Sequence, residues 1–126
     1  MGRVLGRYNQ FKRAVDNVKK GNWSDGEFHE FLFNIYETLS AKANEMREII
    51  ESENYGEYAE EEVACGLAGL ELFEAGMQEM SYFLEDGDTY HLDEGLAHIW
   101  EGNEKINEAM RINREKREDL EVQLMM

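Results

Sequence analysis

A chain of 126 residues with a net charge of −15 and no proline has room for one hydrophobic core, needs few sharp turns, and is poorly suited to phosphate backbones or anionic membranes. Its 42% hydrophobic and 11% aromatic content is too high for a disordered polyelectrolyte. The single cysteine, Cys65, excludes an intramolecular disulfide and fits a reducing cytoplasm, and no apolar run has the length of a membrane span or a signal-peptide core.

The first helix is predicted over about residues 2–20, where Val4, Tyr8, Phe11, Val15 and Val18 make one stripe and Gly21-Asn22 ends it. Residues 1–20 are basic, with Arg3, Arg7, Lys12, Arg13, Lys19 and Lys20 against Asp16 alone. Residues 21–110 hold 23 acids and three bases, so the first helix is drawn to the acidic remainder or to an acidic partner. The second helix, about 25–53, opens with the capping box Ser24-x-x-Glu27 and carries Phe28, Leu32, Ile35, Leu39, Ala43, Met46 and Ile50 on one face. A break is expected at Asn54-Tyr55-Gly56.

The third helix, about 57–85, places Ala59, Val63, Gly66, Leu70, Phe73, Met77, Met80 and Leu84 at alternating steps of three and four. Asp86-Gly87-Asp88 stops it and caps the fourth helix, about 89–121, whose stripe is Leu92, Leu96, Ile99, Asn103, Ile106, Met110, Asn113 and Leu120. Arg117 interrupts that stripe, and residues 117–126 are expected to fray. Trp100-Glu101-Gly102 falls inside this helix rather than in a turn and is read as helix. A helix content of at least about 70% without strand follows.

Short connections between long amphipathic helices force neighbours to run antiparallel, so the expected fold is an all-α, up-down four-helix bundle, one helical domain over 1–126 with a long C-terminal helix. The first helix is too short to cover the others, and a second copy of the chain is the simplest cover for what it leaves exposed. Gly69-Leu70-x5-Gly76 recurs 26 residues later as Gly95-Leu96-x5-Gly102. Each glycine costs about 1 kcal/mol against alanine inside a helix, so these smooth strips mark close helix packing, within a hairpin of the third and fourth helices or between protomers. Asn103, Ile106 and Met110 are candidates for the same protomer interface, with Asn103 fixing register.

The signals for chemistry are weak. His91, Glu94, His98 and Glu101 share a sector of the fourth helix and are candidate metal ligands, but that sector lies away from the core stripe and lacks a second ligand set elsewhere. His29 is read as a boundary histidine, Glu62 as a carboxylate near a helix start, and Cys65 as a small core residue. With no catalytic motif and no cofactor signature, the expected role is non-enzymatic: a cytoplasmic adaptor, chaperone-like or regulatory protein that binds itself and another protein. It is not expected to bind nucleic acid or membrane directly. The alternatives are an acidic nucleic-acid mimic that occupies a basic protein, favoured by the acidic body, and a ferritin-like metal-binding bundle.

Overall fold

The computed structural model describes residues 6–52 and 56–125. They form four helices, α1 (Gly6–Lys19), α2 (Asp25–Ser52), α3 (Gly56–Asp86) and α4 (Tyr90–Met125), with no strand among the described residues. The predicted helix positions 2–5, the break at Asn54-Tyr55, the stripe position Ala59 and the side chains of 117–126 lie outside the described residues. The α4 backbone stays helical to Met125, four residues beyond the predicted end.

Each described turn has a local cause. After α1, Asn22 N–H donates to the Asn17 carbonyl (2.8 Å) and Gly21 N–H to that of Val18 (3.1 Å), with Gly21 at φ 78°. This is the Schellman pattern, which favours glycine because a Cβ is disfavoured in the left-handed region. At the start of α2 the capping box closes in both directions: Glu27 N–H donates to Ser24 Oγ and Ser24 N–H to Glu27 Oε1, each at 3.2 Å. Between α3 and α4, Gly87 at φ 74° ends one helix, and Asp88 Oδ1 accepts from Tyr90 N–H (3.0 Å) to begin the next.

The bundle is a ring in which α3 and α4 make the most extensive contact, α2 lies along α3, α1 lies along α4, and a smaller α1–α2 contact closes it. Phe11 and Val15 from α1, Phe28 from α2, Phe73 and Met80 from α3, and Leu92 and Ile99 from α4 are fully buried together. At about 1.5–3 kcal/mol per large apolar side chain, this cluster is the main source of stability. Tyr8 meets Trp100 edge-on at 5.0 Å, and Lys19 Nζ donates to Asp93 Oδ1 at 2.6 Å, so the basic α1 is held to α4 at both of its ends.

With 14 residues α1 is about 21 Å long and α4, with 36, about 54 Å. Ile49 and Met110 are 42% and 48% exposed. Further along α4 burial leaves the predicted stripe: Met110 and Asn113 are exposed, whereas Ile112 is buried. Among the described residues no helix is long and apolar enough to cross a membrane.

Candidate functional site

The four glycines pair across the hairpin. A methyl group at Gly76 would lie 2.7 Å from the Gly95 carbonyl oxygen, and one at Gly102 would lie 2.7 Å from that of Gly69. The echoed spacing is therefore two equal steps of seven residues run in opposite directions along antiparallel partners, and it serves packing within one chain rather than between protomers. Ile106 belongs to the same seam, since a methyl at Gly69 would meet its Cγ1 at 2.7 Å. Asn103 is only 5% exposed. Both residues were expected at a protomer interface; within the chain Asn103 is buried and Ile106, only partly buried, packs against Gly69 and also lines the groove described below.

The metal candidates do not assemble. His91 Nε2 is 2.8 Å from Asp86 Oδ2 and its Nδ1 is 3.4 Å from Glu79 Oε1, with Tyr82 and Tyr90 edge-on to the ring at 5.7 Å. His91 thus turns to α3 and the preceding turn, not to Glu94, His98 or Glu101, and among the described residues no group of three or more His, Cys, Asp or Glu side chains is arranged to hold a metal ion. His98 Nδ1 is buried without a hydrogen-bond partner. Glu62, on α3, accepts from Asn113 Nδ2 at 2.6 Å and stands 4.0 Å from Lys116 Nζ, tying α3 to the far part of α4. Cys65 is half-buried with its Sγ 3.2 Å from the Lys105 carbonyl oxygen, and burial pushes its thiol up, away from the reactive thiolate.

The Asp86 hydrogen bond is the main cause that raises the His91 pKa, opposed by desolvation and helped by Glu79. Asp86 is lowered, first by the backbone N–H of Asp88 and then by His91. A histidine raised in the folded state stabilises fully below its unfolded value of about 6.5, and that contribution is lost as the pH rises through the folded value. Melting temperatures of the wild-type chain and His91→Gln should therefore differ most between the carboxylate range and the ordinary imidazole value, and converge at higher pH. A constant difference from mildly acidic to alkaline pH would contradict the charged pair.

Two open grooves stand out among the described residues. The first, of about 730 Å³, lies beyond the end of α1 and is lined by Met46, Val63, Gly66, Ile106, Ala109 and Met110, with Lys42, Glu62 and Arg114 also on its walls. The second, of about 570 Å³, lies between α2 and α3 and is lined by His29, Phe33 and Tyr36 on one wall and Ala75, Gln78 and Ser81 on the other. Phe33 and Tyr36 are 52% and 43% exposed, and the His29 ring stacks on Phe33 at 6.4 Å. Arg47 bridges Glu71 and Glu74 at one end of this cleft, at 3.4 and 3.2 Å. Sequence reasoning missed the second groove. Its signal was an excess of apolar residues around α2: Phe28, Leu32, Ile35 and Leu39 already fill one face, and Phe33 and Tyr36 lie beside it.

No protein-family model, no curated protein and no solved structure matches the chain.

Proposed function

We propose that the chain acts without catalysis, through protein contacts, and that one of these contacts is with a second copy of itself. The observation that carries this reading is a patch holding both a hole and a knob. Past the end of α1 the groove floor includes Gly66, where an added methyl would find only ordinary contacts, Met46 Cε at 3.5 Å and Ala109 Cβ at 3.8 Å. On the wall of the same groove stands Met110, 48% exposed. A patch with both features is self-complementary, as a two-fold contact requires, and methionine adapts to an irregular cavity. The other protomer then lies along this groove of α2, α3 and α4.

Self-association makes stability depend on concentration, so the melting temperature of the wild-type chain should rise with protein concentration. Each copy carries −15, so added salt should strengthen the pairing by screening repulsion between copies. An acidic mimic of nucleic acid behaves oppositely, losing its basic partner as salt is added. A melting temperature independent of concentration at both low and high salt would remove the self-association reading.

A further inference from the structure

We propose that the cleft between α2 and α3 is a docking groove for a cationic amphipathic helix of another protein. This goes beyond self-association, and the cleft shares no lining residue with the groove at Met110. Exposed rings on a helix that already has a buried face need a reason. Phe33 and Tyr36 are 52% and 43% exposed, and together with His29 they form an aromatic wall at helical spacing. Apolar anchors from a partner helix at i, i+3 or i+4, and i+7 suit such a wall.

Charge decides what kind of helix. The exposed Glu30 and Glu37 lie one turn to either side of Phe33 on α2, and Glu71 and Glu74 line the facing end of the cleft. The one base there, Arg47, is already bridged to both of those α3 carboxylates. Over their whole lengths α2 has seven acids and two bases, and α3 has nine acids and no base. Lysine or arginine stems from a partner would lie on the ring faces while their charged heads reach the carboxylates. Nucleic acid and anionic membranes are repelled by the same field. A second copy is a poor occupant, because its basic segment is α1, whose Phe11, Ala14, Val15 and Val18 are buried in its own bundle. From His29 to Arg47 the cleft spans about 27 Å of α2, which matches a helix of about five turns.

The test uses the full chain and a fluorescent 18-residue lysine–leucine peptide with leucines on one helical face, beside a scrambled isomer of equal charge without such a face. Anisotropy at physiological salt should show the amphipathic isomer bound at least about tenfold tighter than the scrambled one. Phe33→Ser combined with Tyr36→Ser should remove that advantage. Tyr90→Ser, which deletes a ring 57% exposed at the start of α4, should change affinity by less than about twofold. If the double variant does not fold, Glu30→Lys with Glu37→Lys takes its place and should weaken the amphipathic peptide by about tenfold. Equal binding of the two isomers, binding untouched by these substitutions, or no binding would overturn the proposal. Met110→Asp should leave peptide binding intact, so a failure here is distinct from a failure of self-association.

Discussion

Replacing Gly102 by alanine should destabilise the chain by about 1–3 kcal/mol, although helix propensity alone would gain about 1 kcal/mol. The sign is set by what the new methyl meets. At Gly102 it would lie 2.7 Å from the Gly69 carbonyl oxygen, 3.2 Å from Leu72 Cβ and 3.3 Å from the Phe73 backbone nitrogen. Those atoms belong to the α3 backbone or sit beside it, so α4 itself must move, and both glycine pairs must separate together. Gly66→Ala is the internal control: its methyl meets the flexible end of Met46 at 3.5 Å, so the change should be neutral or stabilise by up to about 1 kcal/mol. Denaturant unfolding of the two variants checks this. If Gly102→Ala were as stable as Gly66→Ala, the close seam between α3 and α4 would be wrong.

The second large effect separates folding from assembly. Ile106→Asp should cost about 3 kcal/mol or more, because it places a carboxylate against Gly69 in the seam and removes a packed aliphatic chain. Met110, one turn further along α4, is half exposed. Met110→Asp should keep the helical circular dichroism signal and the denaturant midpoint of the monomer, while setting two like charges against each other in any pair formed through this groove. A strongly unfolded Met110→Asp, or an undisturbed Ile106→Asp, would show that the two side chains have been assigned to the wrong environments.

The helix positions and the bundle class were legible because periodicity, the capping box at Ser24 and Glu27, and the stops at Gly21 and Gly87 all act locally. The glycine spacing revealed close packing but not its partner, since a smooth strip is equally useful inside a hairpin and between chains. Only the register of α3 against α4, which brings Gly69 to Gly102 and Gly76 to Gly95, decides that. Which neighbour takes over burial on α4 beyond the described part of α1 is likewise a tertiary property. His91 was singled out for its neighbours along α4, whereas its partners are Asp86 and Glu79, on the adjoining turn and helix. The α2–α3 groove was hidden because Phe33 and Tyr36 blend with the core aromatics in sequence, and only burial separates them.

The claim that the chain works through a contact with its own copy is tested most directly by light scattering of the wild-type protein at micromolar concentration and physiological salt. A chain of 14.7 kDa should report about twice that mass, with Met110→Asp returning the single-chain mass. A wild-type chain that reports one copy under these conditions, or a Met110→Asp protein that remains paired, would contradict it.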